Sequence, residues 1–270
     1  MLPLDRPLLM GVVNTTPDSF SDGGFFLGRE AAVAHARKLV EEGADLIDIG
    51  GESTRPGSTG TSLEEERRRV LPVLEALAEL EVPISVDTRK PELMREAILA
   101  GASLINDVSA LEAPGALEAV SASGVGVCLM HKQGEPRTMQ EAPHYEDVVR
   151  EVRDYLAGRI DAAIAAGIAR ERVIVDPGFG FGKSFAHNLE LLRGLGDIAG
   201  LGVPVLAGLS RKGMIGSITG RAVTERVHGS VAAALLAVDA GARIVRVHDV
   251  AETWDALAVW QAVRGRIAAP

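Results

Sequence analysis

Short runs rich in Val, Ile and Leu recur along the chain, each ending in polar residues and each followed by a stretch with helical spacing. They predict eight strands, at about Leu8 to Val13, Asp45 to Ile49, Val82 to Val86, Ser103 to Asp107, Val125 to Met130, Val173 to Asp176, Val203 to Leu209 and Arg243 to Val247. The runs are continuous rather than alternating, so both faces of each strand should be buried, as in a parallel sheet covered by helices. Helix starts are marked as well. Ser62-Leu63-Glu64-Glu65 has the form of a capping box, and Pro91 suits a first helical position. Gly43, Gly101, Gly167 and Gly241 sit where a helix must stop and the chain turn back toward a strand.

Eight βα units over residues 1–270 predict an α/β protein built as a single (β/α)8 TIM barrel, with its active site at the C-terminal ends of the strands. The competing architecture is an open doubly wound sheet. That fold would concentrate its glycines at one switch point, whereas polar clusters here follow most strands.

Those clusters hold the candidate chemistry. Asn14 opens a long decorated segment reaching Gly24, and Asp48 to Gly57 combines paired glycines with Arg55. The third strand ends in Asp87-Thr88, where either residue could bind a ligand or cap the helix at Pro91. Asn106-Asp107, Met130-His131 and Asp176 end the next three strands. One Asn and two Asp at equivalent strand ends could read the donor-rich edge of a flat heterocycle, because carboxylates accept from paired N–H groups. His131 could equally be a polar tip over the core. After Asp176 the glycine-rich run to Lys183 is not a Walker loop, since Pro177 stands where that motif needs its first glycine. Arg211, Lys212 and Arg246 add cations to Arg55, and His248 adds an imidazole, a set able to bind a multiply charged anion such as pyrophosphate.

Bulk properties narrow the class. With 270 residues, 47% of them hydrophobic, the chain can bury a large core, and a net charge of −9 argues against a general nucleic-acid binder. No apolar stretch reaches the ~20 residues of a membrane span, and the amino terminus lacks a basic region followed by a long apolar one, so a cytoplasmic protein is expected. The lone Cys128 lies in an apolar run and reads as a buried small residue.

Taken in order, Gly11 to Gly24, Asp48 to Gly57, Asp176 to Lys183, Ser210-Arg211-Lys212 and Arg246-Val247-His248-Asp249 resemble the bacterial dihydropteroate synthase family, from about Leu8 to the carboxyl end. The resemblance implies a pterin-binding barrel that joins 6-hydroxymethyl-7,8-dihydropterin diphosphate to p-aminobenzoate and releases pyrophosphate, with Mg2+ as cofactor. It puts Asp87, Asn106, Asp176 and Lys212 in the pterin pocket, lined by Met130, Gly180 and Phe181. Asn14 falls beside the metal and the diphosphate. Arg55, Arg246 and His248 fall at the anion, Arg246 also lying against the pterin. Phe20, Thr54, Pro56 and Ser210 fall around p-aminobenzoate. At Gly213 some members carry a serine that helps hold the substrate carboxylate; here a backbone N–H, expected at a helix start, stands in its place. Catalysis would rest on Asp87, Asp176, Lys212, Arg246 and His248.

Two other readings compete. A methyltetrahydrofolate:corrinoid methyltransferase has a similar barrel but no need of the diphosphate-binding cations or the long segment after Asn14. A non-catalytic homologue should have lost one of Asn14, Arg55, Lys212 or His248, and all four are present. The family also implies a homodimer through its last helices, and the stretch Val231 to Val238 is apolar on every face, as such an interface needs.

Overall fold

The computed structural model describes residues 5–15, 24–53, 58, 60–135 and 137–264, with residues 24–27 as backbone only. Eight strands form one sheet: β1 Leu8–Asn14, β2 Leu46–Gly50, β3 Ile84–Asp87, β4 Leu104–Asp107, β5 Gly126–Met130, β6 Val173–Asp176, β7 Leu206–Ala207 and β8 Ile244–Val247. Their order is β6-β5-β4-β3-β2-β1-β8-β7, every pairing is parallel, and a bridge from Val175 to Val205 joins the two ends. The expected barrel is therefore the observed one. β7 is shorter than 203–209, for a local reason: Pro204 has no N–H to give the ladder, and it contributes only its carbonyl, to Val175 N at 3.0 Å.

Helices fill the outer ring: α1 Gly24–Glu41, α2 Leu63–Ala76, α3 Pro91–Leu99, α4 Ala116–Ser121, α5 Val148–Ala165, α6 Phe185–Arg193, α7 Leu195–Ala199, α8 Gly213–Thr219, α9 Val227–Asp239 and α10 Val250–Val263. The capping box expected at Ser62 is half made. Its hydroxyl accepts from Glu65 N at 3.3 Å, but the Glu65 carboxylate turns to Arg69 at 2.8 Å instead of back to the cap. A complete reciprocal box stands at α6, where Ser184 and His187 bond each other's backbone. The four turn glycines all have left-handed φ, from 92° to 109°, and after Gly167 a 3-10 turn, Arg170–Arg172, precedes β6.

Successive residues of each strand face opposite ways, into the bore or out toward the helices. Leu8, Met10, Leu46, Leu104, Cys128, Ile174, Leu206 and Ile244 fill the lower bore, while Leu9, Ile47, Ile49, Val86, Ile105, Val127, Val175 and Val245 belong to the layer under the helices. Each of the Val, Leu, Ile and Met side chains stabilises the fold by about 1.5–3 kcal/mol. Cys128 sits among them, as expected, and burial pushes its thiol up, away from reactivity. With the lower bore plugged, the only direction left for chemistry along these strands is their C-terminal end.

Candidate active site at the mouth of the barrel

Two residues beyond the apolar layer, the same strands turn polar: Leu46 gives way to Asp48, Leu104 to Asn106, Ile174 to Asp176 and Ile244 to Arg246. A period of two keeps all four side chains in the bore. Asp87 and Met130 close β3 and β5 at the same height, the register pairing Asp87 with Asn106 and Met130 with Asp176. The centre of the site is an ion cluster. Arg246 Nε donates to Asp48 Oδ2 at 2.7 Å, Arg246 Nη2 reaches Asp87 Oδ2 at 3.4 Å, and Asn106 Nδ2 donates to Asp48 Oδ2 at 3.2 Å. Asp48 thus aims two pocket residues at once. It is fully buried, and the spacing of motifs does not single it out as a site residue. The signal that marks it is an acid at the centre of a strand whose every other residue is buried, which is costly unless paired.

Charge in this dry layer is strongly perturbed. Burial, reinforced by Asp48, pushes the Asp87 carboxyl up to about 8, and burial also raises Asp176. Burial pushes the Lys212 ammonium down to about 8. Arg246 behaves otherwise: burial opposes its charge, but Asp48 and Asp87 more than restore it. The pocket therefore holds a permanent guanidinium beside acid and base groups that titrate near neutrality, the pattern of a functional site.

The glycine-rich segment after β6 forms one wall. Gly178 N donates to Asp176 Oδ1 at 2.7 Å, and Lys212 Nζ donates to the Phe179 carbonyl at 2.6 Å while standing 4.3 Å from the centre of the Phe181 ring. Its glycines have a packing cause. A Cβ on Gly178 would lie 1.8 Å from the His131 carbonyl oxygen, and one on Gly182 would lie 2.1 Å from that of Gln133. Gly180 backs onto the Lys212 side chain, where a Cβ would sit 3.2 Å from Cδ.

Several expectations need correction. Asp107 does not share the pocket: its carboxylate accepts from Ser109 N at 2.7 Å and Leu111 N at 2.8 Å, tying a turn on the far side of β4. Arg211 is not a free cation, because it forms a forked pair with Asp249, Nε to Oδ2 at 3.0 Å. His131 packs its ring against Tyr155 of α5, with centroids 4.9 Å apart, and bonds through Nδ1 to Lys183 Nζ at 2.9 Å; burial with that neighbour pushes it down to about 3, so the ring is neutral. Neither Thr88 nor Asp87 caps α3: its N-cap is Lys90, with no side-chain cap bond, and the Thr88 hydroxyl accepts from Lys90 N at 3.2 Å in the turn before the helix. Ser210 is buried with its hydroxyl 3.0 Å from His248 Nδ1 and 3.2 Å from His248 N, which sets the imidazole at the rim. Asn14 is half-buried where β1 ends, and Gly213 is the first residue of α8. Phe20, Thr54, Arg55 and Pro56 lie outside the described residues.

A polar, ion-paired layer crowning a closed parallel barrel is the site of a small-molecule enzyme, and residues 10–248 match the family described as pterin binding enzyme. The chain belongs to that family. The dihydropteroate synthase of Neisseria meningitidis serogroup B is 55% identical over 267 residues, covering 96% of this chain and 94% of its own. The solved structure of Xanthomonas albilineans dihydropteroate synthase with 4-aminobenzoic acid superposes with a TM-score of 0.93 at 60% identity, covering 99% of this chain and 95% of that one. Another structure of that enzyme, in complex with 7,8-dihydropteroate, gives a TM-score of 0.90 at 57% identity, covering 100% and 97%. Within the pterin-binding enzymes the chain accordingly falls among the dihydropteroate synthases, transferases of folate synthesis.

Proposed function

We propose that the mouth of this barrel joins 6-hydroxymethyl-7,8-dihydropterin diphosphate to p-aminobenzoate, giving 7,8-dihydropteroate and pyrophosphate, with Asp87, Asn106, Asp176 and Lys212 holding the pterin. The observation that carries the reading is the buried layer itself, where Arg246 is braced by Asp48 and Asp87 beside Asp176 and Lys212. A flat ring with paired N–H donors matches acceptor oxygens on Asp87, Asn106 and Asp176. Met130, Gly180 and Phe181 supply the apolar walls.

In the reaction the bond from the exocyclic carbon to the diphosphate oxygen breaks, the electron pair leaves with pyrophosphate, and the electron-rich dihydropterin shares the positive charge left behind. Asp87 and Asp176 favour that charge. Arg246 and His248, with Arg55, stabilise the leaving anion, an electrostatic contribution that removal of single donors shows to be worth about 10²–10³ in rate. The arylamine nitrogen then forms the new bond and gives up a proton to water or to the released pyrophosphate. An arylamine is neutral at pH 7, so a dedicated strong base is unnecessary.

The donor set suits a cation that arrives with the diphosphate. Asn14 offers one neutral amide oxygen, and among the described residues no three acids, histidines or cysteines are grouped so that they could hold a metal ion by themselves. Mg2+ fits such a place because it keeps water and phosphate oxygens as ligands, and bound there it would neutralise charge on the leaving group. For p-aminobenzoate, Phe20, Thr54, Pro56, Ser210 and the Gly213 N–H remain the assigned neighbours. No helix among the described residues is long and apolar enough to cross a membrane, which agrees with a cytoplasmic enzyme.

We further assign a homodimer to α9 and α10. Ala233, Ala234, Ala237 and Val238 of α9 are buried, yet Leu236, Val259 and Val263 remain 59%, 66% and 81% exposed, an apolar face of the kind that marks an interface. Light scattering at micromolar concentration should give twice the chain mass, and Val259→Glu should halve it. The reaction is tested by incubating the protein with dihydropterin diphosphate, Mg2+ and p-aminobenzoate. Pyrophosphate should appear only when all are present, and its absence would reject the assignment.

A further inference from the structure

Every carbonyl from Gly178 to Gly182 is held by a side-chain donor. Lys183 Nζ takes Gly178 O at 3.0 Å and Phe181 O at 3.1 Å, Lys212 Nζ takes Phe179 O, Gln140 Nε2 takes Gly180 O, and the Tyr145 hydroxyl takes Gly182 O at 2.9 Å. Asn188 then holds the carbonyls of Lys183 and Ser184, at 3.1 and 2.7 Å, and accepts from Gly180 N at 2.7 Å. A glycine-rich segment would otherwise be the most pliable part of the wall. Lys183 alone holds two of these carbonyls, with its third bond to the neutral ring of His131 at 2.9 Å. That ring is itself wedged edge-on against Tyr155, with centroids 4.9 Å apart. The lysine is almost wholly buried, and its three bonds all go to the protein.

An amine kept in such a place is costly. Burial pushes it down to about 7 from its ordinary 10.5, so the folded state loses stability as pH falls from about 10.5, with the full cost reached near 7. A methionine would fill the same space without a charge to bury. The three acceptors indicate what the ammonium is for, because the residue that Lys183 grips by its carbonyl, Gly178, presents its own N–H to Asp176 Oδ1. Asp176 Oδ2 takes no hydrogen bond among the described residues and is the oxygen left for a ligand.

We propose that Lys183 is a positioning residue for the pterin pocket, gripping the Gly178 and Phe181 carbonyls so that the Gly178 amide fixes one oxygen of Asp176 and leaves the other aimed at the substrate. This rests on the pterin reading of the pocket. The test is a double-mutant cycle, titrating 6-hydroxymethylpterin by calorimetry into the wild type, Lys183→Met, Asp176→Asn and the double variant, with melting curves as the fold control. Lys183→Met should weaken binding by about tenfold or more in the wild-type background and by less than about twofold in the Asp176→Asn background, as coupled residues do. In turnover, KM for the pterin diphosphate should rise while KM for p-aminobenzoate holds.

Equal losses in the two backgrounds, or an unchanged affinity in folded Lys183→Met, would overturn the proposal. Should Lys183→Met fail to fold, His131→Gln removes the ring acceptor and should show a smaller loss of the same coupled kind. If neither variant folds, the contact belongs to the fold itself and the proposal fails. A wild type that binds no pterin would instead reject the pocket assignment, a result separate from all of these.

Discussion

The lower and upper bore of this barrel are built on the same strands and differ by two residues. Ile174 and Ile244 sit in a layer of aliphatic side chains, and Asp176 and Arg246, one inward step further on, sit in a layer of ions. The lower layer is stabilised without direction, by removal of apolar surface from water. In the upper layer each buried charge must find a partner, so its residues constrain one another's geometry. The contrast shows what each layer tolerates: the apolar layer admits no charge, and the ionic layer loses function, and stability with it, when a buried charge is left without its partner.

The sharpest way to break that contrast is to move a charge down one step. Ile174→Asp would bury an unpaired carboxylate among Met10, Cys128 and their neighbours, a penalty of several kcal/mol against a total stability of roughly 5–15 kcal/mol. No folded protein should be recovered, as judged by circular dichroism and by the soluble fraction after expression. A folded variant would mean that the lower bore admits water.

Next in size is Arg246→Ala. Turnover should fall by about 10²–10³ through loss of charge stabilisation at the leaving group. Asp48 would lose its ion pair, so the melting curve should also drop, by the equivalent of about 3–5 kcal/mol. Binding of a bare pterin should suffer far less than turnover. Equal losses in steady-state kinetics and in calorimetry would place Arg246 at the ring rather than at the diphosphate.

Asp176→Asn is milder, a change of one atom that sets donor against donor in a dry pocket. Pterin affinity should fall by about 1–3 kcal/mol while the melting temperature holds, since the residue stands above the packed layer. A collapsed melting temperature would show that Asp176 serves the fold rather than the ligand.

The smallest effect expected is that of pH. Asp87 must lose its proton to accept from the ring, and in the free protein it titrates at about 8; Lys212 also titrates at about 8, and it must keep its proton. Pterin affinity should therefore rise toward pH 8 from the acid side, fall beyond it, and be accompanied by proton release below that pH. Titrations in buffers of different ionisation enthalpy, from roughly two units below these values to about one above, measure both effects. A flat profile would indicate that Asp87 is already ionised in the empty pocket.

Much of this organisation is visible in the chain before it folds. The eight strands are legible because a parallel strand buried on both faces is a continuous apolar run, and β6 is found at its predicted bounds, Val173–Asp176. The ends of those runs name most of the pocket. Asp48 escapes notice because its meaning depends on Arg246, 198 residues away. The box at Ser184 is missed because its third residue is His187 rather than Glu or Gln.

The sequence by itself determined the alternation of strands and helices, the apolar filling of the bore and the kinds of group at each strand end. Which of those groups meet was decided only in three dimensions. Asn106 and Asp107 are neighbours at one strand end, yet one braces against Asp48 in the pocket and the other ties a turn behind it. Arg211 and Lys212 divide in the same way, the first paired with Asp249 and the second laid along the wall after β6. The physical reason is the alternation of side chains along extended backbone and the closure of the barrel around it. A residue's type is local, whereas the face it takes and the charge it meets are properties of the ring of strands.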